Sequence, residues 1–131
     1  MRPEDQLQKT VAQLLDASGL VWSATANGAF LQGNAQQRAI RGMRMKRHGV
    51  KNGLPDLLIF DPICSTLLQS WAGLAIELKA PDANGKRPKP RANQLEWHER
   101  LRTCGWRVEV CYSVDEVIGL LRECYPGRFP V

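Results

Sequence analysis

Apolar residues recur with helical spacing near the start of the chain. Leu7, Val11, Leu14 and Leu15 fall at i, i+4, i+7 and i+8, one stripe of a helix over residues 4–18. Pro3 suits its first turn and Gly19 its stop. Residues 20–25, Leu-Val-Trp-Ser-Ala-Thr, predict a strand, and Asn27-Gly28 a turn. Residues 34–48 predict a second helix closed by Gly49, with a partly ordered loop as the alternative because Gly42 weakens a helix. On a wheel of about 100° per residue, Arg38, Arg41, Arg44 and His48 share one arc, and Ala35, Ala39, Ile40 and Met43 the opposite one.

Gly53-Leu54-Pro55 breaks the chain before a short apolar strand, Asp56-Leu57-Leu58-Ile59-Phe60. Residues 61–71 read as a loop or irregular link, and 72–79 as another strand. Three prolines, a glycine and four basic residues make 80–91 an exposed loop. Residues 92–104 predict a helix stopped by Gly105, and 106–111 alternate as a strand. Ser113-Val114-Asp115-Glu116 is a capping box opening a last helix to about Cys124. Residues 125–131 read as a Pro/Gly-rich tail. This order predicts an α/β fold with a mixed central β-sheet flanked by helices. The 131 residues fit one domain, with its core at about 4–124.

Composition excludes several classes. Hydrophobic residues at 44% and charged residues at 24% match a soluble globular protein rather than a disordered chain. No apolar run approaches the roughly 20 residues of a membrane span. The charged start, Met1-Arg2-Pro3-Glu4-Asp5, is unlike a signal peptide, so a cytoplasmic protein is expected. Cys64, Cys104, Cys111 and Cys124 include no C-x-x-C pair, and read as reduced, mostly packing residues.

The net charge is +5, unevenly spread. Arg38, Arg41, Arg44, Lys46, Arg47 and Lys51 occur without an acid among them, as do Lys86, Arg87, Lys89 and Arg91. Such excess suggests a polyanionic partner, with two solvated basic loops as the plainer alternative.

Two anomalies carry the chemistry. Asp56 opens an apolar strand, and Glu77 and Lys79 interrupt another. Side chains alternate across a strand, so Glu77 and Lys79 share one face, about 6.6 Å apart, while Ile76 and Leu78 take the other. If the two strands pair, the Asp56 and Glu77 carboxylates lie close and repel. Such a pair suits Mg²⁺ or Mn²⁺, with the Leu78 backbone carbonyl as a third oxygen. A divalent ion polarises a phosphodiester and lowers the pKa of bound water. Lys79 could orient that water or stabilise phosphate charge. A surface acid and a salt bridge are the alternative; the anomalies and basic segments together favour the metal site. Glu4 lies within about 20° of Val11 and Leu15 on the helical wheel, which aims a carboxylate toward the same region. It could equally be a dipole-favoured acid, as could Asp5. Gln94 lies one turn from Trp97 and His98, placed to bond a carboxylate or phosphate. Trp97 reads as core, and His98 receives no role.

Gly53-Leu54-Pro55-Asp56-Leu57, Ala75-Ile76-Glu77-Leu78-Lys79 and Gln94-Leu95-Glu96-Trp97 resemble the PD-(D/E)XK nuclease superfamily. More narrowly, they resemble its virus-type replication-repair nuclease (VRR-NUC) domain. The acidic start of the first helix, Asn27-Gly28, Gly49-Val50-Lys51-Asn52-Gly53 and Gly105-Trp106-Arg107-Val108 fit the same pattern, over roughly residues 4–120. An isolated E-x-K is common by chance; the ordered set is far more specific.

The resemblance implies a restriction-endonuclease-like core and a metal-dependent phosphodiesterase site. Asp56, Glu77 and the Leu78 carbonyl would ligate Mg²⁺ or Mn²⁺, and Lys79 would be the catalytic lysine. Glu4 would match the acid of the first helix and Gln94 the helix glutamine. It also implies a DNA-repair endonuclease, bacterial or phage-encoded, that works as a homodimer on four-way (Holliday) junctions. The basic residues would then grip phosphates rather than read bases. A non-catalytic DNA-binding module, or a nuclease for flap, single-stranded or linear DNA, remains the alternative.

Overall fold

The computed structural model describes residues 2–26, 33–64 and 69–128; the Asn27-Gly28 turn lies outside them. The first helix, α1, runs Pro3–Ser18 and ends on Gly19 at φ 78°, the left-handed conformation that glycine adopts without strain. Strand β1 is Trp22–Ala24. The second helical prediction holds: α2 is Ala35–Arg47, opened by Asn34, whose side chain accepts from Gln37 N while Gln37 Oε1 accepts from Asn34 N.

Strand β2 is Leu57–Ile59. The expected loop at 61–71 contains a small antiparallel ladder, β3 Ile63–Cys64 with β4 Ser70–Trp71. Strand β5 is Leu74–Leu78, α3 Ala92–Thr103, β6 Arg107–Cys111 and α4 Val114–Cys124. Ser113 caps α4 by accepting from Glu116 N. The Glu116 carboxylate accepts from Tyr112 N, so the reciprocal half of the predicted box has moved one residue upstream.

The main sheet has the order β1-β2-β5-β6. It is mixed: β2 is antiparallel to β1 and β5, and β5 is parallel to β6. Val11 and Leu15 of α1 and Val117, Leu120 and Leu121 of α4 join Leu57, Ile59, Leu74, Ile76 and Leu78 in one buried cluster. Helix α3 packs against β6 and reaches Glu77 from the opposite side of β5 to that cluster. All five β5 residues are therefore buried, as expected for a strand covered on both faces.

Several details depart from expectation. Tyr125 is core rather than tail: it is 5% exposed, and its hydroxyl donates to Asp61 O at 2.8 Å. Cys111 and Cys124 pack inside, but Cys64 and Cys104 are exposed. Trp97 lies outside the main cluster, against Gly53 and under the Arg100 guanidinium. The apolar arc of α2 is not buried either. Ile40 and Met43 are 55% and 57% exposed, and α2 has no buried residue. Among the described residues, no helix is long and apolar enough to cross a membrane.

Candidate active site

The β2–β5 register sets the site. Leu57 pairs with Ile76 and Ile59 with Leu74. Continued one residue, this antiparallel register places Asp56 opposite Glu77; continued two, Pro55 opposite Leu78. The Lys79 amide donates to Cys111 O on the β6 side, so the neighbouring Leu78 amide and carbonyl point toward β2. That rung cannot close. Pro55 has no N–H to give the Leu78 carbonyl, and its own carbonyl is taken by Thr25 Oγ1 at 2.6 Å. The Leu78 amide instead donates to Asp56 Oδ2 at 2.7 Å. Proline thus leaves the Leu78 carbonyl without its sheet donor from the β2 side.

The turn before Asp56 is docked by Gly53, at φ 95°. A Cβ there would stand 2.8 Å from Asn93 O and 3.1 Å from Trp97 Cδ1. Only glycine allows this turn to lie on the start of α3.

Asp56, Glu77 and Lys79 are 7%, 1% and 8% exposed. They line a cleft of about 640 Å³ with Glu4, Gln8, Asn52, Arg91 and Gln94. Burial, then the charge of Asp56 and a hydrogen bond between the two carboxyl groups, push the Glu77 carboxyl up to about 9. A proton on Glu77 relieves the repulsion between the two carboxyl groups. Glu4, exposed at the start of α1, has its carboxyl raised by burial of its head group; Lys79 opposes this and Asp56 adds to it.

Helix α3 holds both Glu77 oxygens. Gln94 Nε2 donates to Oε2 at 3.3 Å, and His98 Nε2 lies 3.4 Å from Oε1. Gln94 also closes the helix start, its Oε1 accepting from Arg91 N at 2.8 Å. His98 is 2% exposed, and burial, aided by Arg102 and Lys79, lowers its pKa.

The structure therefore brings Asp56, Glu77, Lys79 and Gln94 together, with Glu4 lining the same cleft. Sequence reasoning missed His98 and the buried Gln8. Gln8 follows Glu4 by one helical turn, on the buried stripe with Val11 and Leu15. A polar residue on that stripe was the available signal.

The donor set fits a hard divalent cation: two carboxylates and a main-chain carbonyl, all oxygen. Among the described residues, no three His, Cys, Asp or Glu side chains form a ready-made metal cage. Glu4 is exposed but lines the same cleft, and its charge is felt by Glu77.

The basic residues take different positions. Arg38, Arg41, Arg44, Lys46, Arg47, Lys51, Lys86 and Lys89 are exposed. Arg91 lines the cleft. Arg87 is tied to Glu116 at 2.9 Å and lies over the Tyr112 ring at 4.8 Å.

The family model described as VRR-NUC domain matches residues 2–115. A solved structure named "VRR_NUC domain protein" superposes with a TM-score of 0.67 at 22% identity, covering 95% of this chain and 89% of that one. No curated protein matches the chain.

Proposed function

This chain belongs to the VRR-NUC family, a nuclease family that generally uses divalent metals, and from that premise we propose that it is a Mg²⁺- or Mn²⁺-dependent DNA endonuclease. Its preferred substrate is branched DNA, with the four-way junction foremost. The observation that carries this reading is the buried Asp56–Glu77 pair, which the β2–β5 register sets opposite one another. Two carboxylates buried side by side repel one another, and an all-oxygen pair of this kind supports a divalent-cation site.

Asp56, Glu77 and the Leu78 carbonyl would hold the ion. When bound, it supplies Lewis-acid polarisation of the scissile phosphodiester. Lys79, buried in the same cleft, brings a positive charge to the phosphate where negative charge builds in the transition state. Gln94 fixes the Glu77 carboxylate. Glu4, from α1, is the acid placed to reach a nucleophilic water or the ion from the cleft wall.

Exposed cations on α2 and in the 86–91 loop, with Lys51, would grip phosphates without reading sequence. The whole chain acts as one nuclease domain. A symmetric homodimer suits the substrate, because two sites can cut opposed strands of a junction. The reduced cysteines suit the cytoplasm of a bacterial or phage-infected cell.

The test is cleavage of a four-way junction, a flap, single-stranded and linear DNA in Mg²⁺ or Mn²⁺, with Lys79→Ala as control. The junction should be cut fastest, and Lys79→Ala should be inactive. Faster cutting of flap, single-stranded or linear DNA would replace the substrate. Salt-sensitive binding without nicking would leave only a DNA-binding module.

A further inference from the structure

His98 is buried, yet no part of the chemistry above uses it. It lies on α3, one helical turn after Gln94. Its Nε2 faces Glu77 Oε1 at 3.4 Å while Gln94 Nε2 takes Oε2 at 3.3 Å. A carboxylate can rotate about its last bond, and one partner fixes only one oxygen. Two partners from successive turns of one helix fix the carboxylate plane. The 3.4 Å separation is long for a hydrogen bond, which leaves room to tighten when the carboxylate is drawn into place.

We propose that His98 is a positioning residue whose Nε2–H orients the Glu77 carboxylate toward the cation site, acting with Gln94 as a two-point clamp from α3. The inference rests on the metal reading above. It assigns His98 no contact with DNA or with the ion. Such a clamp needs a hydrogen on Nε2, which an imidazole ring can carry toward a carboxylate oxygen. A ligating group held by a partner of this kind loses about 10–100-fold in metal affinity when the partner is removed.

The experiment measures Mn²⁺ binding, by loss of the free-ion electron paramagnetic resonance signal, in the parent, His98→Phe, His98→Gln and Glu77→Gln. His98→Phe keeps an aromatic ring in the buried site and removes the donor; His98→Gln keeps a donor at similar reach. His98→Phe should bind Mn²⁺ about 10–100-fold more weakly, and His98→Gln should recover most of that loss. In cleavage, the His98→Phe deficit should shrink as metal is raised, with DNA KM unchanged. A folded His98→Phe that binds Mn²⁺ like the parent would reduce His98 to a packing residue. Should His98→Phe not fold, nitrogen-15 NMR of the Mg²⁺-loaded parent decides: a protonated Nε2 at His98 supports the clamp, and an unprotonated Nε2 overturns it. Glu77→Gln separates the two levels. If it also binds Mn²⁺ like the parent, the metal reading itself has failed and the clamp with it.

Discussion

Asp56 Oδ2 accepts the Leu78 amide at 2.7 Å, so the side chain of one proposed ligand holds the residue whose carbonyl is another. This single bond replaces the rung that Pro55 cannot make. It makes Asp56 structural as well as chemical. Asp56→Ala should abolish cleavage and also leave the buried Leu78 amide without its acceptor, costing about 1–3 kcal/mol. Lys79→Ala, which breaks no such bond, should lose activity with a smaller change in the urea midpoint. Equal midpoints for Asp56→Ala and the parent would dismiss the structural role.

Pro55→Ala probes the open carbonyl. Alanine supplies the missing N–H, which can close on the Leu78 oxygen and compete with a cation for it. The variant should fold, because the strand gains a ladder bond, but should need severalfold more Mg²⁺ for half-maximal cleavage. An unchanged Mg²⁺ profile would remove the Leu78 carbonyl from the ligand set.

Glu77 ties stability to pH. Its ordinary value is 4.5 and its folded value about 9, so the folded state holds a proton that the unfolded chain releases. The favourable contribution is complete below about 4.5 and is lost as pH rises toward 9. Metal-free protein should therefore melt at lower temperature as pH is raised through that window. Glu77→Gln should flatten this dependence and melt higher than the parent at pH near 8. Added Mg²⁺ should stabilise the parent with release of protons to buffer, and leave Glu77→Gln unmoved. Calorimetry in buffers of different ionisation enthalpy reads the protons directly.

The basic side chains should not contribute equally to DNA binding. Arg44 and Lys46 on α2 are exposed. Replacing either with Ala should weaken binding to all DNA and lower the salt slope by about one for each phosphate no longer neutralised. Arg87 already serves Glu116 and Tyr112, so Arg87→Ala should change the salt slope less. Its exposed ion pair is worth about 0–1 kcal/mol of stability. Fluorescence anisotropy over a salt series distinguishes the two classes; equal slope changes would contradict the division.

Much was readable from local pattern. The α1 stripe, the α2 and α3 limits and the Ser113 cap depend on spacing within a few residues, where periodicity and capping chemistry act directly. The ionisable residues of the cleft were visible as charges in apolar strands, because only function or pairing justifies that burial. The β3–β4 ladder left no such trace, because two-residue strands have no period to detect. Nor was the burial of Tyr125 legible, because its acceptor, Asp61 O, is distant in sequence.

What the amino-acid order determined by itself was most of the elements and the acidic, lysine and glutamine side chains that they carry to the cleft. Tertiary structure decided who faces whom. Leu78 and Asp56 are 22 residues apart, and His98 is 21 from Glu77. Such pairings depend on sheet register and on which side of β5 a helix settles. A one-residue slip sends every side chain to the other face, and no short-range pattern encodes that choice. The same reason left Ile40 and Met43 outside: an apolar arc is buried only where the rest of the fold brings a surface to cover it.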